Sequence, residues 1–222
     1  MSKSDALLKA DVLNELKWYT RVKETDVGVE VHAGVVTLTG TVDSWAARLG
    51  AQEAAHRVSG VLDVANDIHV KLPGSSECND TDIAGAVRQA LQWDVLVQDQ
   101  RITSTVSNDV VALEGSVDTW TAYDDAARCV RNLRGVVEVK NLLCVEPPTS
   151  HVSFTDLRSS IEDALDRRAD HGAKRIHLRV VAKDTVILSG EVPTWAEWQA
   201  VEGAVRGTPG VRIVDNQLRI QR

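Results

Sequence analysis

The chain has 222 residues, 43% of them apolar, and a formal net charge of −7. That apolar share can fill a buried core, and an acidic balance without a basic tract excludes a protein whose affinity rests on neutralising nucleic-acid phosphates. No run approaches the ~18 consecutive apolar residues of a membrane span, and three cysteines, odd in number and without recurring spacing, fit a reducing compartment better than a disulfide framework.

The N-terminal stretch MSKSDALLKADVLNELK carries charges at every third or fourth position, which is not the pattern of a secretory signal. The expectation from it is a cytoplasmic protein, at most peripheral to the inner membrane. Its apolar residues fall at i, i+4 and i+8 (Leu8, Val12, Leu16), the spacing of an amphipathic helix. Two β-rich runs follow, separated by His32-Ala33-Gly34, where the glycine suits a left-handed residue closing a three-residue hairpin loop. In the second run Val36 and Leu38 alternate with Val35, Thr37 and Thr39, so one face of the sheet is apolar and the other mixed. Ser44 is placed to cap a second helix, whose buried stripe is Ala51, Ala54, Ala55 and Val58. Gly60 before Val61 has the form of a left-handed helix cap with a hydrophobic contact behind it, and a last strand runs from Val64 to Val70.

The same elements return twice at a step of 75 residues. The stretch VVTLTGTVDSW from Val35 is rewritten as VVALEGSVDTW from Val110 and TVILSGEVPTW from Thr185. The recurring positions are structural glycines (Gly40, Gly115, Gly190 and Gly60, Gly135, Gly210), strand valines, and Trp45, Trp120 and Trp195. A period this long exceeds the roughly 20–50 residues of a solenoid unit, so each copy is predicted to be a small domain: residues 1–73, 79–147 and 152–222. Pro73-Gly74-Ser75-Ser76 and Pro147-Pro148-Thr149-Ser150 link them. The predicted class is α+β: three tandem αββαβ domains, each a three-stranded mixed sheet with two helices packed on one face. Strand, helix and parallel strand should connect in the right-handed sense. In the third copy the first helix (Leu157, Ile161, Leu165) is displaced by one residue, which a bulge in the strand Ile176 to Val181 can absorb. Thr194 and Glu197 have the spacing of a capping box.

The motif V-T-L-x-G, carried by Val36 to Gly40, together with G-V-x-x-V-x-N, carried by Gly60 to Asn66, resembles the BON domain, named for bacterial osmotic-stress and nodulation proteins. Val111 to Gly115 with Gly135 to Asn141, and Val186 to Gly190 with Gly210 to Asn216, extend the resemblance over nearly the whole chain. Members commonly carry two copies, and here there are three. The resemblance implies binding to phospholipid surfaces or support of envelope integrity under stress.

Candidates for that contact are few. Trp45, Trp120 and Trp195, each in the first turn of a second helix, are candidate interfacial aromatics; against this, a ring there can fold over the edge of its own core. Trp18 and Trp93 recur near the end of the first helix, and the third copy has Arg168 at that place. Arg167, Arg168, Lys174 and Arg175 form the densest basic stretch and are candidate ligands for anionic headgroups, although Asp163, Asp166 and Asp170 interleave with it. It lies in the one repeat that is not acidic: the three carry formal charges of −2, −6 and +1. Six histidines lack metal-site spacing, and no nucleophile elbow, phosphate loop or dinucleotide fingerprint occurs. The expectation is a non-enzymatic, stress-associated binding module without metal, cofactor, nucleic acid or transmembrane segment, whose partner is an anionic phospholipid surface. The alternative is a protein-interaction or ion-sensing scaffold that never touches lipid.

Overall fold

The computed structural model describes residues 3–18, 26–72, 78–95, 97, 99–147, 154–168, 176–182 and 184–221, with the backbone alone at 99, 154–156, 165–168 and 182. The first repeat runs α1 (Asp5–Trp18), β1 (Val27–His32), β2 (Val35–Val42), α2 (Trp45–Arg57) and β3 (Asp63–Val70). The second runs α3 (Asp80–Trp93), β4 (Ile102–Ser107), β5 (Val110–Val117), α4 (Trp120–Arg131) and β6 (Glu138–Val145). The third runs α5 (Phe154–Arg168), β7 (Ile176–Ala182), β8 (Thr185–Val192), α6 (Trp195–Arg206) and β9 (Ile213–Ile220).

Each repeat is the expected αββαβ unit. The central strand pairs antiparallel with the strand before it and parallel with the strand after it, so Val36 sits between Val31 and Val64. The period-2 pattern drives this register, since a slip by one residue would turn Val36 and Leu38 to solvent. Both are fully buried, against Leu8, Val12 and Leu16 of α1 and Ala51, Ala54 and Ala55 of α2. Small alanines on α2 let that helix approach the sheet closely. Each repeat has its own core: Ile83, Val87, Leu91, Val111, Leu113, Ala126 and Val130 fill the second, and Leu157, Ile161, Val186, Leu188, Val201, Ala204 and Val205 the third. The Leu165 side chain lies outside the described residues.

The hairpin loop is shorter than the sequence suggests. His32 pairs with Val35, which leaves a two-residue turn of Ala33 (φ 50°) and Gly34 (φ 81°). Asn108 (φ 52°) and Asp109 (φ 63°) repeat it. Positive φ at both central residues is the turn whose twist matches the strands it joins. A carboxylate from the first helix holds it: Asp5 accepts from the amides of Ala33 (3.0 Å) and Gly34 (3.2 Å), and Asp80 accepts from those of Asn108 and Asp109 (3.0 Å each). The expected bulge in β7 is present, with the register shifting between Val180 and Ala182.

The N-caps of the second helices act as expected, but of the capping box read at Thr194 and Glu197 only the Thr194 half forms. Gly60, Gly135 and Gly210 lie beyond the helix C-caps, which fall at Val58, Asn132 and Gly207. Ser44, Thr119 and Thr194 accept from the amides of Ala47 (3.3 Å), Ala122 (3.1 Å) and Glu197 (3.2 Å). A complete capping box, Asn79 with Asp82, opens α3. All six recurring glycines have positive φ, between 93° and 131°. The recurring asparagine also has a structural task. Asn66 Nδ2 donates to the Arg48 carbonyl (3.2 Å) and Asn141 Nδ2 to that of Tyr123 (2.9 Å), while their Oδ1 atoms accept from Ile68 and Leu143. The side chain thus ties the last strand to the second helix.

Candidate functional site: repeat junctions and exposed helix ends

Each second helix carries its tryptophan in the first turn, where Trp120 packs against the edge of its own core, and two of the three rings meet another repeat. Trp195 stacks on His56 of the first repeat with ring centres 4.3 Å apart and planes 23° apart, and its Nε1 donates to the Leu62 carbonyl (3.2 Å). Trp120 lies under the Arg206 guanidinium of the third repeat at 4.4 Å, edge-on to Tyr123. Trp45 carries Arg48 of its own helix over its ring at 4.9 Å. His56, Arg131 and Arg206 occupy the same position of successive repeats, so both cross-repeat contacts use one pair of helix positions in cyclic order.

The junction of repeats 2 and 3 encloses a cleft of about 440 Å³ lined by Trp120, Asp124, Trp198, Glu202 and Arg206. Arg206 pairs with Glu202 at 2.6 Å. Burial raises the pKa of Glu202 and of Asp124, and Arg206 opposes the rise at both. At the other junction, burial lowers the pKa of His56, with Asp63 acting against it. His56 Nε2 is buried without a hydrogen-bond partner among the described residues.

The first helices end differently. Trp18 is 84% exposed and Trp93 is 79% exposed, at matching positions, with Val95 exposed beside the second. Arg167 and Arg168 close α5, and their side chains lie outside the described residues. Lys174 and Arg175 lie outside them altogether. Among the described residues there is no helix long and apolar enough to cross a membrane and no group of three or more His, Cys, Asp or Glu that could hold a metal ion.

The thiols differ from one another in a way that labelling can read. Cys129 Sγ donates to Asp94 (2.9 Å), and burial with that bond pushes its pKa up to about 11. Cys78 is half-buried against the second core rather than loose in the linker, and Cys144 is exposed on the outer face of its sheet. A short pulse of a maleimide reagent at neutral pH is therefore expected to modify Cys144 first and Cys129 last, since the thiolate is the reactive form. Mass spectrometry of the tryptic peptides checks the order, and early modification of Cys129 would contradict it.

Residues 4–71, 79–147 and 154–222 each match the BON domain. Osmotically-inducible protein Y of Escherichia coli (strain K12) is 31% identical over 141 residues, which are 62% of this chain and 70% of that protein. Among solved structures, the C-terminal domain of CdsD, titled the structural protein of the type III secretion system of Chlamydia trachomatis, aligns over the full length of both chains at 12% identity and a TM-score of 0.26. That overlay is too loose to bear on how the repeats are arranged. The domain matches, by contrast, span almost every residue, one for each αββαβ repeat; the chain belongs to the BON domain family.

Proposed function

We propose that the chain is a non-enzymatic, stress-associated binding module that settles on anionic phospholipid surfaces through the ends of its first helices. The carrying observation is the pair Trp18 and Trp93, two indoles at one repeat position with about four-fifths of their surface in water. Tryptophan is enriched at membrane interfaces because its ring has an apolar body and a polar N–H. The third repeat supplies charge at the same place: Arg167 and Arg168 end α5, with Lys174 and Arg175 following in sequence. Each cation near an anionic leaflet contributes about 1 kcal/mol. Family membership and the relative's name, osmotically-inducible protein Y, support the link to stress. The free thiols suit a reducing compartment and so support the reading of a protein peripheral to the membrane on its cytoplasmic side. Trp45, Trp120 and Trp195 have a smaller part in this reading, since two of them are engaged between repeats.

Co-sedimentation with phosphatidylcholine vesicles, with and without phosphatidylglycerol, tests the proposal. Binding is expected to need the anionic lipid and to weaken as salt rises, because the surface field decays over roughly 10 Å at 0.1 M ionic strength. Replacing Trp18 and Trp93 with serine, or the four basic residues with glutamine, is expected to reduce binding at least about tenfold, the equivalent of 1.4 kcal/mol. The −6 charge of the second repeat favours the rival reading of a protein-interaction or ion-sensing scaffold. Absence of binding at low salt, or binding indifferent to headgroup charge and to both sets of substitutions, leaves that rival standing.

A further inference from the structure

The two cross-repeat contacts share a design and differ in one residue. Where Trp120 meets a permanent guanidinium that also has the Glu202 carboxylate at 2.6 Å, Trp195 meets an imidazole. That imidazole has a buried Nε2 without a partner among the described residues, so a second proton there finds no acceptor. We propose that the His56–Trp195 stack is an acid-released clasp between the first and third repeats, closed on the neutral ring and opened when it takes up a proton, with every repeat remaining folded.

The surroundings of His56 decide the direction. From α6 it meets the uncharged indole of Trp195. The carboxylate that acts on it is Asp63 at the start of β3, which already accepts from the Val64 amide (2.8 Å). Arg57, its neighbour on α2, pairs with Glu15 of α1 (2.9 Å), and Glu53, one turn earlier, faces solvent. In the adjoining clefts Lys3 pairs with Asp11 (2.7 Å) and Asp5 holds the hairpin amides, while Glu191 and Arg219 flank Leu62. A cation over an indole is attractive, as Arg206 shows at the other junction, but there a carboxylate shares the charge. At His56 no carboxylate among the described residues bonds the ring, and burial, opposed by Asp63, holds the pKa below the ordinary 6.5. A histidine whose pKa is lower in the closed state binds protons more readily once released. The clasp is therefore at full strength above pH 6.5 and weakens as the pH falls below that value.

Opening also breaks the bond from Trp195 Nε1 to the Leu62 carbonyl, which links the third repeat to the hairpin turn of the first through the bond from Leu62 N to the Gly34 carbonyl (2.9 Å). Asp124 and Glu202 titrate in the opposite sense. Their raised values favour the protonated junction of repeats 2 and 3, so acid does not release that contact.

Small-angle scattering and far-ultraviolet circular dichroism on the intact chain at about pH 7.5 and about pH 5 test the clasp. The wild type is expected to expand at the lower pH, by about a tenth or more in radius of gyration, with its dichroism unchanged. His56→Phe, which keeps a flat ring but cannot be charged, is expected to stay compact at both, and Trp195→Ala to be expanded at both. A wild type that stays compact, a His56→Phe chain that expands equally, a compact Trp195→Ala chain at about pH 7.5, or expansion accompanied by loss of dichroism would each overturn the proposal.

Discussion

Gly115→Ala is expected to abolish cooperative folding of the second repeat while the other two repeats still melt as units. Gly115 lies within β5, opposite Ile102, at φ 123°, a conformation that a side chain rarely adopts. A Cβ there would stand 2.1 Å from the Arg101 carbonyl oxygen and 3.2 Å from its carbon. These are backbone atoms, so relief requires moving the strand entrance and, with it, the pairing of Ile102. Backbone strain alone costs about 1–3 kcal/mol, and with displacement the total exceeds about 3 kcal/mol, on the order of the whole stability of a core this small. Gly40 is built the same way, with the Asp26 carbonyl oxygen 2.0 Å from a built Cβ. Calorimetry checks the result: one of the component transitions should disappear. A melt within a degree of wild type would show that the Arg101 carbonyl can step aside.

Gly135→Val is expected to cost about 2–4 kcal/mol through a different mixture of causes. Gly135 has φ 93°, and a Cβ would come within 2.9 Å of Ile83 Cγ1 and 3.2 Å of Cys78 Cβ. The β-branch adds a methyl to that crowding, in a region of φ where valine is strongly disfavoured. The neighbours here are side chains, so part of the overlap relaxes and the penalty stays below that at Gly115. Gly85 supplies the internal contrast. It sits within α3 with nothing within 4 Å of a built Cβ, and Gly85→Ala is expected to raise stability by about 0.5–1 kcal/mol. Urea denaturation of the three proteins should order them Gly85→Ala, wild type, Gly135→Val; a Gly135→Val midpoint at or above wild type would contradict the steric account.

The elements were legible wherever the signal lies within a dozen residues. Leu8, Val12 and Leu16 declare a helix face, Val36 and Leu38 a strand face, and the displaced first helix of the third repeat a bulge. The hairpin turn was misjudged because its conformation is enforced from a distance. Asp5 holds amides 28 and 29 residues away, and a carboxylate at that offset has no local signature. The clue that could have found it is that Asp80 repeats Asp5 at the same step of 75. Asn66 and Asn141 were visible as family marks, but their bonds to Arg48 and Tyr123 need the crossing of strand and helix before they mean anything. The tryptophans posed the hardest case. A ring in the first turn of a helix can fold over its own core, as Trp120 does, or reach outward, and nothing in periodicity tells solvent from a neighbouring repeat. Trp195 found His56, whereas Trp18 and Trp93, which a helix-end position also allows to pack, stand in water.

The contact between Trp195 and the first repeat has a consequence for how the protein is made. Its hydrogen bond to Leu62 spans 133 residues. At a translation rate of about 5–20 residues per second, the first repeat leaves the ribosome roughly 7–27 seconds before its docking partner exists. During that interval the face holding His56 and the Leu62 carbonyl is complete and vacant, while neighbouring ribosomes on the same message release chains whose third repeats fit it equally well. Closure within one chain wins only because its own third repeat arrives tethered at high local concentration. Dense synthesis raises the competition from the third repeats of other chains, the route by which a domain-swapped dimer would be built from native contacts alone.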